Sequence, residues 1–486
     1  MRKALIITYY WPPSGGSGVQ RWLKLTKYLP QFGYKPIVYT PLNPEVNSID
    51  STLEADISPE VEVIKHPIKE PYSLYKRLKG IKKGEQIKAN LIDGEKNRGI
   101  ANYIRANFFI PDPRKWWIKP SVKFLSEWLK HNEIDVIIST GPPHSMHLIG
   151  SKLREIVNVP WIADFRDPWT DIFYFKHLQL TKRSLRKHLQ LEEHVISHSQ
   201  QVVVVSNQMY EDFLSKLIRF YLSDIVLVEE GGSEFILKSA KKSISVIENG
   251  FDPDDFDEKN NMVLSSELSE IEHFVGDKFI IAHTGLLTDS ANPNQLWRAI
   301  GKLVKENNSF AEKLLIVTAG EVGQQALKEI EENGLSQYHL DLKYSSHLKC
   351  VALQKKSHIQ ILPLRKEPEA KGILTGKFFE YMASGSPIIA FGVPESDVEQ
   401  IINKTNSGTF FLYSDTKEVE ENIKKEILRI WDAFTEGKSL KNQSSNIVEY
   451  SRVTQAEKFA KLMNRLIDYS ENFCEHIAKG EGFSDI

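Results

Sequence analysis

Four stretches of this chain bring together glycines, hydroxyls, histidines and charges in patterns that could do chemistry. The first is Pro12-Pro13-Ser14-Gly15-Gly16-Ser17-Gly18, between an apolar run and a helical pattern. Glycines let the backbone turn sharply and come close to a ligand. The start of the following helix offers free N–H groups and a positive dipole end to an anion. The spacing is neither G-x-G-x-x-G nor a lysine-bearing phosphate loop, which argues against a standard dinucleotide or P-loop NTPase site. The second stretch is Ser139-Thr140-Gly141-Pro142-Pro143-His144-Ser145-Met146-His147. Its histidines and hydroxyls are expected to face a cleft, where His144 could meet a sugar hydroxyl or a phosphate. Two histidines three apart with no acidic partner are a poor metal set. The third is Asp164-Phe165-Arg166-Asp167-Pro168-Trp169. Such a charge cluster costs desolvation unless its members pair. One aspartate is expected to hold Arg166, leaving the other for substrate.

The fourth stretch runs from Gly372 through Thr375-Gly376-Lys377 and Glu380 to Ser386-Pro387. Thr375-Gly376 opens a helix whose first turn carries Lys377, a combination of backbone donors, dipole and cation suited to a diphosphate. Glu380, three positions on, shares a helix face with Lys377. A carboxylate there can accept both hydrogen bonds of a ribose diol. Each of the four also has a plain structural reading: a tight turn, a helix cap, an internal ion pair, a surface pair.

These loops need elements to hold them. Short apolar runs alternate with helical patterns nearly throughout. Ala4–Tyr9, Lys35–Tyr39, Asp135–Ser139, Trp161–Phe165 and Gln201–Val205 read as strands. A second set follows: Lys278–His283, Lys313–Thr318, His358–Leu362 and Pro387–Phe391. Such alternation means parallel βαβ units covered on both faces. Two α/β domains are expected, with a break in the pattern at about 217–242 read as an insertion. The division expected is 1–250, 251–445 and a helical 446–486. Open α/β sheets bind ligands at the carboxyl ends of their strands, so the chemistry belongs in strand-to-helix loops.

Composition narrows the classes. With 486 residues the chain has room for two or three domains. Charge nearly cancels, 62 basic against 64 acidic residues, which gives no reason to expect nucleic acid as a partner. Two distant cysteines, Cys350 and Cys474, make neither a disulfide framework nor a zinc cluster, and a reducing, cytoplasmic setting is expected. No apolar run approaches the roughly 20 residues of a membrane span. The basic and aromatic stretch Tyr72–Lys88, with Phe108-Phe109-Ile110 and Arg114–Ile118 nearby, suits an anionic membrane surface or a lipid-diphosphate acceptor.

Taken in order, these motifs resemble those of retaining, nucleotide-sugar-dependent glycosyltransferases of family 4, which have the GT-B fold. The anchors are Gly15-Gly16, the link Ser245–Asp252 with its Asn249-Gly250-Phe251-Asp252, and the segment Lys377–Pro387. The resemblance covers nearly the whole chain. It implies two doubly wound Rossmann-like domains facing a central cleft, with a C-terminal helix packed back on the N-terminal domain. The N-terminal domain would take the acceptor and the C-terminal domain the donor.

By the same resemblance Glu380 matches the second glutamate of the family's pair, which holds the donor ribose. Gly15 and Gly16 match the loop near the phosphates and the transferred sugar. Arg166-Asp167 stands where relatives carry a histidine beside that sugar, and Tyr344-Ser345-Ser346-His347 resembles the loop beside the base. Two departures stand out. Gly372 occupies the place of the first glutamate, with Glu369 the nearest acid upstream. The family's Arg and Lys after the first strand of domain two are replaced by His283–Ser290, and Lys377 is expected to supply the charge. The implied reaction moves a sugar from a nucleoside diphosphate to an acceptor hydroxyl with retention. It needs no metal or other cofactor, and Asp167, Arg166 and His144 orient the reactants. Cell-surface polysaccharide or glycolipid synthesis, on the inner face of the membrane, is the expected setting. The rival readings are a non-catalytic nucleotide-sugar-binding protein and an epimerase-like enzyme on the same fold.

Overall fold

The computed structural model describes residues 1–46, 48–70, 100–224, 243–257, 262–442 and 444–479. Its chain divides into two compact units. One holds residues 1–248 and the C-terminal segment from Val453; the other is Asn249–Arg452.

In the first unit seven strands form one sheet: β1 (Arg2–Ile7), β2 (Tyr34–Pro41), β3 (Glu62–His66), β4 (Val136–Gly141), β5 (Trp161–Phe165), β6 (Gln201–Val204) and β7 (Ile244–Val246). All neighbours are parallel and the order is β3-β2-β1-β4-β5-β6-β7. Side chains alternate faces along a strand. Leu5, Ile7, Ile137 and Phe165 therefore enter one core, and Ala4, Ile6, Ile138 and Ile162 the other. The second core is closed by Phe459, Met463 and Ile467 of the C-terminal helix Arg452–Lys479, as the sequence leads one to expect.

The second unit repeats the plan with six parallel strands: β8 (Phe279–Thr284), β9 (Leu314–Ala319), β10 (His339–Asp341), β11 (Ile359–Pro363), β12 (Ile388–Gly392) and β13 (Gly408–Leu412), in the order β10-β9-β8-β11-β12-β13. In both sheets the strand order reverses beside the first strand. That switch point lies between β1 and β4 in one unit and between β8 and β11 in the other. Ligands of open α/β sheets bind there.

Two expectations change. The supposed break at 217–242 begins too early: the helix Asn207–Asp224 runs through Leu217, with Phe213 and Leu217 in the core. Residues 225–242 of that stretch lie outside the described residues, as does the basic stretch Tyr72–Lys88. The edge strands β3, β7, β10 and β13 are not among the strands expected; β7 and β10 are three residues long, and β13 is only partly buried. Edge strands bury one flank only, so their sequences need not be apolar.

Candidate active site

Every site residue expected from the sequence lies in or next to a loop at the carboxyl end of a strand. In the second unit the helix Gly376–Ser384 begins after β11 and ends at Gly385, whose φ of 77° suits glycine. Its N-cap, Thr375, makes no side-chain capping bond, and the buried Thr375 Oγ1 has no hydrogen-bond partner. The first N–H groups of this helix are therefore not capped by a side chain. Asn249 of the link motif donates from Nδ2 to the Leu374 carbonyl at 3.2 Å and so pins the approach to the helix.

Lys377 reaches across the switch point to the loop after β8. Its Nζ lies 3.3 Å from the Leu286 carbonyl and 3.4 Å from His283 Nε2. Gly285, at φ 93°, leaves the room: a Cβ there would stand 3.1 Å from Nζ. His283 is buried, and its Nδ1 lies 2.9 Å from the Ile361 carbonyl. Nε2 lies 3.4 Å from both the Leu286 carbonyl and Lys377 Nζ, so the shorter Ile361 contact takes the ring proton on Nδ1 and Nε2 accepts from the ammonium. Burial, and then the Lys377 charge, push His283 down to about 3, so it stays neutral. Burial lowers Lys377 to about 8, against the pull of Glu380. The ammonium is thus held by neutral acceptors, with its charge left for an incoming anion.

Glu380 stands on the same face. Gln354 Nε2 donates to its Oε2 at 3.2 Å and to Thr284 Oγ1 at 3.0 Å. His347 Nδ1 lies 4.0 Å from Glu380 Oε1, and its Nε2 is bonded to Asp255 at 2.9 Å. The structure therefore brings Thr375, Gly376, Lys377 and Glu380 together. Tyr344 is 64% exposed and Ser345 half-buried, on the loop that leads to the helix His347–Lys356. Glu369 is exposed in a 3₁₀ turn, and Gly372 is half-buried beyond it.

In the first unit Gly15 donates to the Ser48 carbonyl at 2.9 Å, and a Cβ on it would meet Ser48 Oγ at 2.9 Å. Gly16, at φ 89°, turns the chain into the helix Ser17–Tyr28. The two glycines are needed for this covered turn.

The charge cluster is wired differently from the expectation. Asp164 pairs with Arg21, not Arg166: Arg21 Nη2 lies 2.8 Å away, with Trp22 Nε1 and Thr140 Oγ1 also donating at 2.8 Å. Burial would raise this carboxyl, but Arg21 and the two other donors hold it below its ordinary value. Arg166 instead clamps three carbonyls, those of Gly18, Gly141 and Pro142, so it fastens the loops after β1, β4 and β5 to one another. Asp167 is exposed. The protein around it pushes its carboxyl up against the pull of Arg166.

The histidine loop also departs from the expectation. Its groups point inward, although His144 Nδ1 and His147 Nε2 are buried without a hydrogen-bond partner. Ser139, Thr140 and His147 are buried, and Ser139 Oγ lies 2.9 Å from His147 Nδ1. His144 is buried with its ring stacked on Trp169, 4.5 Å between centroids and 2° between planes. Burial, then the nearby His147 and Arg166, push it well below its ordinary value. His144 is thus a neutral group that shapes the loop.

Sequence reasoning missed Gln354 and Arg21, and gave no role to His283 and Asp255. Nothing in a helical glutamine or arginine marks a partner 26 or 143 residues away. The available signal was His283, a histidine at the carboxyl end of a strand where the usual cations are missing.

Comparison with known proteins bears on fold and on one segment. None of the curated protein sequences matches the chain. Among solved structures it is similar to HepE from Anabaena, in complex with UDP and glucose, at 14% identity, a TM-score of 0.55, and coverage of 96% of this chain and 100% of that one. It is similar to a glycosyltransferase from Rickettsia africae at 14% identity and a TM-score of 0.56, covering 96% and 98%. A trehalose-phosphate synthase from Burkholderia xenovorans, in complex with glucose-6-phosphate, gives 12% and 0.57, covering 95% and 100%. The two units thus have the GT-B architecture of these enzymes, and residues 278–431, which carry Lys377 and Glu380, match the family model of the group 1 glycosyl transferases.

Proposed function

We propose that the protein is a glycosyltransferase that moves a sugar from a nucleoside diphosphate to an acceptor hydroxyl with retention. The observation that carries this is the start of the helix Gly376–Ser384. There uncapped N–H groups, the Lys377 ammonium and the Glu380 carboxylate stand together inside the segment that matches group 1 glycosyl transferases. The N–H groups and Lys377 meet the diphosphate, and Glu380, steadied by Gln354, accepts from the ribose diol. Aligned donors of this kind stabilise charge that develops on a leaving group. In the proposed step the acceptor oxygen bonds to the anomeric carbon as the bond from that carbon to the phosphate oxygen breaks. The departing oxygen takes the acceptor proton on the same face. No resident metal is invoked, since Lys377 and the helix dipole carry the neutralising charge. Asp167, exposed beside the Arg166 clamp, orients the reactants. The acceptor is a saccharide or lipid-linked saccharide, and the setting is cell-surface polysaccharide or glycolipid synthesis at the cytoplasmic side of a membrane. Among the described residues no helix is long and apolar enough to cross one.

The test is thermal unfolding with UDP, GDP, ADP, CMP and dTDP. A ligand that binds only the folded state raises its apparent stability. One nucleotide is expected to stabilise the wild type and not Glu380→Ala. No shift with any of them would favour a protein that does not use nucleotide sugars.

A pH dependence follows from Lys377, whose ammonium titrates near 8. The cation is present below that value and lost above it, and a diphosphate binds the cation. Nucleotide affinity is expected to fall as pH rises through about 8. Calorimetric titration at about pH 7 and about pH 9 measures this; equal affinities would remove the amine from the phosphate site.

A further inference from the structure

The helix Lys182–His198 carries apolar side chains on its outer face as well as its inner one. Its first turns bury Ser184, His188 and Glu192 and its last turns Val195 and Ile196, while Leu185 and Leu189 stand 40% and 45% exposed. Four residues apart, these leucines share one outer face, and Lys182 and Arg186 lie beside them on the same helix. The preceding turn adds Leu178 at 37% and Tyr174 at 36% exposed. The neighbouring helix Ile100–Phe108 behaves alike: Ile104 and Phe108 are 43% and 62% exposed, and Trp116 just beyond is 49% exposed. Asn107 ties the two helices together, accepting from Thr181 N and donating to the Gln179 carbonyl, each at 2.8 Å.

Charge on this surface is one-sided, although the whole chain is nearly neutral. Residues 172–191 contain five Lys or Arg and no Asp or Glu, and Arg105 and Lys115 adjoin them. Three of the nearest acids are engaged, while Asp167, near Tyr174, is exposed. Asp112 accepts from Ser145 N and Oγ, Glu192 is buried on Thr170 and Lys216, and Asp171 pairs with Lys216 at 2.6 Å. Glu193 remains exposed one turn further along.

We infer that this face of the first unit docks on an anionic lipid surface. The aromatic and leucine side chains enter the headgroup boundary, and Arg183, Arg186 and Lys187 meet lipid phosphates. Exposed apolar side chains set among an excess of cations fit such a surface. The proposal stands apart from the sugar-transfer reading. It concerns other residues than the stretch Tyr72–Lys88, which lies outside the described residues.

The test is co-sedimentation of the full chain with vesicles of phosphatidylcholine containing about one third phosphatidylglycerol. Binding is expected at about 0.1 M salt, and it is expected to fall at least tenfold at about 0.5 M salt or on pure phosphatidylcholine. Leu185→Ser/Leu189→Ser and Arg183→Glu/Arg186→Glu are each expected to lower the partition constant about tenfold with unchanged thermal unfolding. Three results would overturn the proposal. One is no binding to the anionic vesicles. Another is binding that survives both variants. The third is self-association without lipid that the leucine variant abolishes, which would make the face a contact between copies.

Discussion

Lys377→Ala is expected to lower kcat/KM for sugar transfer about 10²–10³-fold, the usual cost of removing one positioned donor from a developing anion. Three features of the site make this amine hard to replace. It stands one residue inside the start of a helix whose N-cap side chain makes no capping bond, so cation and dipole act at one place. It is held over Gly285, where any larger residue would crowd it. Its protein partners, His283 Nε2 and the Leu286 carbonyl, are neutral and lie at 3.3–3.4 Å. Contacts that long contribute little to folding. The variant is therefore expected to melt near the wild type while its nucleotide-induced shift disappears. Steady-state kinetics with the nucleotide sugar found by the thermal screen, beside unfolding curves, separate the two effects. Activity within a few-fold of wild type would mean that another group neutralises the leaving phosphate.

The second large effect is on stability. Arg21→Met is expected to destabilise the first unit by about 3–5 kcal/mol, because it leaves a buried carboxylate without its cation. Arg21 and Asp164 are 1% and 0% exposed. Arg21 also donates to the Ile247 and Glu248 carbonyls, so its loss leaves those acceptors short as well. The sign of the pH dependence follows. Asp164 has a folded-state value below the ordinary one, so its contribution is full above the unfolded value and fades as pH falls through the folded value. Without Arg21 burial prevails and the carboxyl rises. The gap between wild type and variant should then narrow on acidification. Arg21→Met/Asp164→Asn should recover part of the loss at neutral pH. Denaturant unfolding at several pH values measures all three proteins; equal midpoints for wild type and Arg21→Met would show that the pair adds nothing net.

Much of this molecule is legible in its residues taken one after another. Buried parallel strands must be apolar on both faces, so β1, β4, β5, β8, β9, β11 and β12 announce themselves as short apolar runs. The switch-point loops then follow from strand order, and glycines or a helix start mark the loops at Gly15-Gly16 and Thr375-Gly376-Lys377. These signals are local: they depend on backbone conformation, helix capping and periodicity within a few residues.

What the chain order conceals is pairing across distance. The sequence suggests that one neighbouring aspartate holds Arg166, yet the buried Asp164 pairs with Arg21 from a distant helix, while Arg166, just past the end of β5, reaches the three loop carbonyls. His144 and His147, read as facing ligand, are likewise packed against Trp169 and Ser139. The outer face of the helix Lys182–His198 was equally hidden, because sequence order does not tell which of its apolar residues, Leu185 and Leu189 or Val195 and Ile196, the fold buries. Local propensity determined the elements and the loops that could bind anions. Only tertiary packing decided which charges meet, because desolvation penalises every buried charge left unpaired and the partner comes from whichever element the fold brings near.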